Sequence, residues 1–304
     1  MSFLKYILLF FFVAAVNSTK ACDVCAGGSR FSFSGLRPLN QQHFVALSHQ
    51  YQSFKHPLSS FSSSGEGRVL RDSYQSINVE GLYSLGKKWQ LGIMVPFKTH
   101  SRIEEHRETQ IRGVGDITVG PSFRCLSIAN DSSLFKHFLR AEFMLGLPTG
   151  KYMQRDASLS MLPAFFQLGT GAWSYALNLR YSLIMGDLGI SLSTSYTQFS
   201  SNELDYKLGS ISSIDLPLFY LFRLGTWEII PQVGMTYENI SRDSQYGVLN
   251  QNTGSSRYLF SSVLSIKRGA WIASFSARSV VNQQLPELQP RASKQWFVRL
   301  LYGL

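Results

Sequence analysis

Beyond residue 16 this chain has no apolar run long enough to cross a membrane as a helix. It is also short of charge. Asp, Glu, Lys and Arg make up 16% of 304 residues, where an ordinary soluble domain carries roughly a quarter. Long helical periodicity is missing, which argues against a helical bundle. No G-x-S-x-G nucleophile elbow, H-E-x-x-H motif or phosphate loop occurs, so nothing in the sequence points to an enzyme. Cysteine is scarce: three residues, at positions 22, 25 and 125. The net charge of +10 is scattered over turns such as Lys87-Lys88 and Lys267-Arg268, without the basic stripe that tracks a nucleic-acid backbone. No nucleic-acid partner is expected.

What is present is a repeated pattern of period two. From Ala172 to Ile184, Trp173, Tyr175, Leu177, Leu179, Tyr181 and Leu183 alternate with Ser174, Ala176, Asn178, Arg180 and Ser182. One face suits lipid and the other suits water, as on a transmembrane β-strand. The pattern predicts strands at about 43–54, 73–85, 89–100, 114–126, 136–147, 172–184, 187–199, 211–224, 227–239, 257–266, 270–282 and 294–304. Tight connections, such as Gly86-Lys87-Lys88 and Gly225-Thr226, alternate with long polar segments at 55–72, 101–113, 148–171, 200–210, 240–256 and 283–293. Bacterial outer-membrane barrels have this parity, with short periplasmic turns, long outer loops and an even strand number. The expected fold is all-β: an antiparallel up-and-down transmembrane barrel of about 12 strands, with 14 as the alternative count. The run from Leu159 to Leu168 would make the parity odd if counted as a strand, so it is placed inside the third outer loop, folded inward.

The N-terminus carries Lys5 followed by the apolar run Tyr6–Val16, too short to span a membrane and suited to a signal-peptide core. Three parts are expected: a signal peptide at 1–21, an N-terminal periplasmic or lumen segment at 22–42, and a barrel at 43–304. A lipidated Cys22 is the competing reading of the cleavage site. The last strand alternates Trp296, Val298, Leu300, Tyr302 and Leu304 to the final residue. Location in the outer membrane of a Gram-negative envelope is expected, with both termini periplasmic and with outer-membrane lipid and lipopolysaccharide as surroundings.

Several local patterns occur in a fixed order: Gly113-Val114-Gly115-Asp116, Gly146-Leu147-Pro148-Thr149-Gly150, Gln167 to Trp173, Pro231 to Glu238, and Asn282-Gln283-Gln284-Leu285-Pro286. Together with Cys22-Asp23-Val24-Cys25 they resemble the outer-membrane family named for the meta-pathway of phenol degradation, in its subgroup with a cysteine pair after the signal peptide. The resemblance spans nearly the whole mature chain and implies a transporter-like barrel for small solutes, either metal-related or apolar and aromatic. Ala26-Gly27-Gly28 stands where that subgroup has a further cysteine. Read by their own chemistry, the glycines permit bends, Asp116 caps backbone N–H groups, and Pro148 ends a ladder.

Alternation places Glu80, Asp116, Arg124, Arg140, Glu142, Arg180, Asp215, Arg223, Glu228, Glu238, Arg278 and Arg299 on lumen-facing positions. Two readings stand: a mixed-charge pore wall, or ion-paired packing that nearly closes the barrel. Cys22 and Cys25 form C-x-x-C without the histidine of a haem site, which leaves a disulfide or a Cu or Zn site, with His43 and His49 as supplementary ligands. No other cofactor is expected. Cys125 reads as a small apolar residue on the lipid face. Three functions follow: passage of small solutes, a closed structural or docking barrel, and an outer-membrane hydrolase.

Overall fold

The computed structural model describes residues 43–55, 70–104, 107–129, 134–155, 160–286 and 291–304. The signal-peptide and cleavage readings, the 22–42 segment and the Cys22/Cys25 metal or disulfide readings lie outside the described residues.

Twelve antiparallel strands form the wall: β1 (Phe44–Lys55), β2 (Leu70–Leu85), β3 (Trp89–Glu104), β4 (Thr118–Ile128), β5 (Phe135–Gly146), β6 (Ser174–Met185), β7 (Leu188–Phe199), β8 (Ile211–Tyr220), β9 (Trp227–Ile240), β10 (Ser255–Arg268), β11 (Trp271–Gln284) and β12 (Arg291–Gly303). Each pairs with its neighbours in sequence, and β1 pairs with both β2 and β12, so the sheet closes and has no edge. Phe222–Leu224 continues β8 past an interruption at Leu221.

The burial pattern is inverted relative to a soluble protein. Along β6, Ser174 and Ala176 are buried, while Tyr175, Leu177 and Leu179 are exposed. Val45, Leu47, Ile77, Val79, Leu91, Ile93, Leu216 and Leu218 are likewise exposed around the ring. A continuous apolar belt of this kind requires an apolar solvent. Aromatic residues flank it. Trp89, Trp227, Trp271 and Tyr302 lie at the end of the tight turns, with Trp173, Tyr175, Tyr196 and Tyr258 toward the long loops, which is the girdle arrangement of a membrane barrel. Gly186 and Gly225 take φ of 60° and 61°, which the two short hairpin turns they occupy require.

Two long segments are more ordered than their polarity suggests. In the segment expected as the 101–113 loop, β3 runs on to Glu104 and Arg107–Val114 returns along it, with His100 opposite Ile111. Backbone hydrogen bonds carry this extension, and they leave no trace in side-chain hydrophobicity. In the 240–256 segment, Ser244–Gln245 and Val248–Leu249 form a hairpin whose turn residues, Tyr246 and Gly247, both have positive φ. Tyr206–Lys207 from the preceding long connection joins it as a third strand.

Candidate functional site

The third long connection, between β5 and β6, does not stay outside the barrel. Leu162, Phe166 and Leu168 are buried, and Ala164–Phe166 form a single 3-10 turn. Leu162 and Phe166 pack with Phe54, Tyr74, Leu259 and Val280, from β1, β2, β10 and β11. These strands lie across the ring from the loop's own roots, so the segment spans the lumen. The described part of the 159–168 run, residues 160–168, is therefore part of the loop and not a wall strand.

Side chains of the wall hold this loop by its backbone. The Phe166 carbonyl lies 2.8 Å from His100 Nδ1, and the Leu168 carbonyl accepts from Lys98 Nζ at 2.6 Å. Arg102 forms a two-pronged pair with Asp72, at 2.7 and 2.8 Å, and stacks 4.9 Å from the centre of the Phe166 ring. Gln167 braces the loop internally, accepting from Gln154 N at 2.9 Å and donating to the Gln154 and Leu162 carbonyls at 3.0 and 2.8 Å.

The base of the loop is assembled on one carboxylate. Asp116 accepts from Gly150 N at 3.0 Å and from Thr170 N and Oγ1, each at 2.8 Å. Gly150 and Gly169 touch through their backbones: a Cβ on Gly169 would lie 2.3 Å from the Gly150 oxygen. The motifs around Asp116, Gly150 and Gly169, which are separate in sequence, are thus three parts of one anchor.

Deeper in the lumen the charges fall into groups. Arg299 donates to Glu80 at 2.6 Å, and Glu80 also accepts from Ser48 Oγ at 2.9 Å. Both charged residues are almost wholly buried. Glu238 accepts from Arg257 Nε at 2.7 Å, and this pair is buried too. Asp215 accepts from Thr236 Oγ1 at 2.6 Å and lies in the field of Arg278. The register sets Arg124 opposite Arg140 and Arg140 opposite Arg180, which places three guanidinium groups in one row across β4, β5 and β6. One step nearer the loops runs a second row, Ser122, Glu142, Asn178, Ser195 and Ser213.

Two of the residues read as lumen-facing lie at the turn end of the wall. Arg223 is mostly exposed and pairs with Asp187 of the neighbouring turn, and Glu228, paired with Lys267 at 2.9 Å, is about one-third exposed. The reason is local. β8 breaks at Leu221, and these residues flank the Gly225-Thr226 turn, where the wall meets solvent. Cys125 is exposed on the outer face. His43 sits beside the turn between β2 and β3, accepting from Ser84 N at 3.2 Å, whereas His49 packs on Trp296 with ring centres 4.9 Å apart. Among the described residues, no three His, Cys, Asp or Glu side chains gather as a metal-ligating group.

Outside the wall, burial raises the Asp243 carboxyl above its ordinary value, although Tyr206 and Gly209 donate hydrogen bonds to it. Burial likewise raises Tyr152, at the base of the inward loop.

No protein-family model and no curated protein sequence matches the chain. Among solved structures it is similar to an outer membrane channel from Pseudomonas putida F1, with a TM-score of 0.66 at 15% identity over 88% of this chain and 99% of that one. Looser similarity reaches the beta domain of the Bordetella autotransporter Brka, with a TM-score of 0.48 at 10% identity over 86% of this chain and 99% of that one. The NanC porin follows at 0.44 and 10% identity, over 84% and 100% of the two chains. The chain shares its barrel fold with the first of these.

Proposed function

We propose that this protein is a narrow outer-membrane channel for small solutes, with the tight turns and both termini in the periplasm and the inward loop as its constriction. The observation that carries this reading is the lumen wall. It is lined by Ser, Gln, Asn and charged side chains, as the water-facing interior of a membrane barrel is. Fold similarity to an outer membrane channel supports the same reading. The apolar belt and its aromatic girdles provide the contact with outer-membrane lipid and lipopolysaccharide. No catalytic step is assigned. The resemblance to the phenol meta-pathway family points to small apolar or aromatic solutes, and the aromatic lining of the constriction, Tyr74, Phe54 and Phe166, suits them.

A second reading rests on that same cluster: an apolar plug of six buried side chains describes a closed structural barrel equally well. Single-channel recording in a planar bilayer separates the two. A channel conducts, and conducts more once residues 155–165 are deleted. Folded protein that stays silent in both forms is a closed barrel. Ester hydrolysis by the purified protein would instead make it an enzyme.

A further inference from the structure

We propose that the turn end of the barrel holds one anionic phospholipid, with its phosphate on Arg268 between Trp227 and Trp271 and its acyl chains along the strand face beyond. The inference rests on the proposed orientation, because phospholipid fills the periplasmic leaflet of the outer membrane and lipopolysaccharide the outer one.

The first ground is the face on which Arg268 lies. It stands opposite Trp227 on one side and Trp271 on the other, and Trp271 stands opposite Tyr302. Register partners share a face of the sheet. A row of Trp, Arg, Trp and Tyr therefore crosses β9 to β12 on the side that meets lipid, and all four residues are exposed. Ile266 and Leu264 continue the same face of β10 toward the middle of the membrane, and Leu264 is exposed too. An arginine in this row has hydrocarbon on one side and water on the other. Its stem lies on apolar surface while its head reaches the headgroup level.

The second ground is the setting of the guanidinium. Its carbon lies 4.7 Å from the centre of the Trp227 ring, and the Trp271 and Tyr302 rings pack with centres 4.7 Å apart. Stacking on an indole positions the fork and uses none of its N–H donors. Among the described residues no carboxylate pairs with Arg268. Glu228 is held by Lys267 and Asp187 by Arg223, and the chain ends at Leu304, beyond β12, two strands away.

A ligand here must be anionic at the headgroup level and apolar beside Ile266 and Leu264. A phospholipid meets both conditions, whereas a soluble anion or an acidic protein segment meets only the first. The planar fork takes two phosphate oxygens at once. With Glu228 and Asp187 already paired, neither is left to meet the ammonium of a zwitterionic headgroup, which favours phosphatidylglycerol over phosphatidylcholine.

The test uses the full-length barrel folded in detergent, with phosphatidylglycerol, phosphatidylcholine and lipid A as probes and bound lipid read by native mass spectrometry. The native protein is expected to retain phosphatidylglycerol in preference to phosphatidylcholine. Arg268→Gln should weaken that retention about tenfold, the worth of one hydrogen bond to a charge. Arg268→Lys keeps the charge without the fork and should recover part of it, and Trp227→Leu should weaken it as well. Lys87→Gln/Lys88→Gln removes two charges from another turn and should leave retention near the native level. Equal retention of the two phospholipids, or a preference unchanged in Arg268→Gln, overturns the inference. So does a loss in Lys87→Gln/Lys88→Gln as large as in Arg268→Gln, which would make the attraction one of diffuse charge. Lipid A retained in preference to phosphatidylglycerol, and lost in Arg268→Gln, would assign the site to the other leaflet and overturn the orientation with it. Conductance plays no part in this readout, so a silent barrel that retains phosphatidylglycerol on Arg268 keeps the site and loses the channel.

Discussion

Asp116 receives both the backbone N–H and the hydroxyl of Thr170 at 2.8 Å, across 54 residues of chain. With the bond from Gly150, this one carboxylate closes both ends of the loop that crosses the lumen. Asp116→Ala strands two backbone donors, each orphan costing roughly 1–3 kcal/mol. The wall has its own register and should persist, so the loss should fall on the loop. The expected outcome is normal assembly, faster proteolytic cutting within 150–170, and higher conductance. Asp116→Asn, which keeps acceptor capacity, should lie between. Native-like protease resistance in Asp116→Ala would show that the His100, Lys98 and Arg102 contacts suffice without the anchor.

The Glu80–Arg299 pair makes a different prediction, about stability alone. It joins β2 to β12, two strands that both flank β1, and is almost fully buried. Removing one partner leaves an uncompensated charge, roughly 3–5 kcal/mol for a buried pair. Arg299→Met should therefore destabilise the barrel strongly to urea in detergent. Glu80→Gln/Arg299→Met should recover most of the loss, because the stranded charge is gone. A double variant as unstable as the single one would mean that Arg299 acts through packing, for instance on Phe44, whose ring centre lies 5.4 Å away.

The wall was legible because a barrel strand writes its two faces into successive residues. Trp173 to Leu183 shows this in full: the side chains at 175, 177 and 179 are exposed, and those at 174 and 176 are buried. Faces, however, are not register. Arg140 and Arg180 meet across the long β5–β6 connection, and Arg124 meets Arg140 just before an irregularity at Leu126, so no local spacing reveals the arginine row. Asp116 was readable as a cap for nearby N–H groups, but its partners at Gly150 and Thr170 are nearby only in space. Arg223 shows the reverse limit. Alternation assigned it a face but not a height, and its place beside the Gly225-Thr226 turn leaves it exposed and paired with Asp187.

The proposed orientation rests on turn length and can be checked directly. Gln245 is exposed on the hairpin of the fifth long connection, and Lys87 is exposed in the tight turn after β2. In a Cys125→Ser background, Gln245→Cys should be labelled on intact cells by an impermeant thiol reagent. Lys87→Cys should react only after the envelope is opened. Labelling at Lys87→Cys with silence at Gln245→Cys would invert the topology.

Asp243 gives that same hairpin a pH dependence with a definite sign. Its carboxyl is buried against Tyr206 and Gly209, while its backbone N–H donates to Thr253 Oγ1, outside the membrane-spanning wall. Burial raises its folded value above the ordinary carboxylate range, so the folded loop binds a proton more tightly than the unfolded one. Stability from this group is therefore full at acid pH, below the unfolded value, and declines as pH rises through the folded value. Asp243→Asn keeps one oxygen to accept from Gly209, presents an N–H donor to the Tyr206 hydroxyl in place of the second acceptor, carries no charge, and should abolish the dependence. A nitroxide attached at Gln245→Cys reports the motion. Its mobility should increase from pH 3 to pH 7 in the native background and stay level in Asp243→Asn. Falling mobility over that range would mean that the hydrogen bonds to the ionised carboxylate outweigh its desolvation, and the sign of the linkage would reverse.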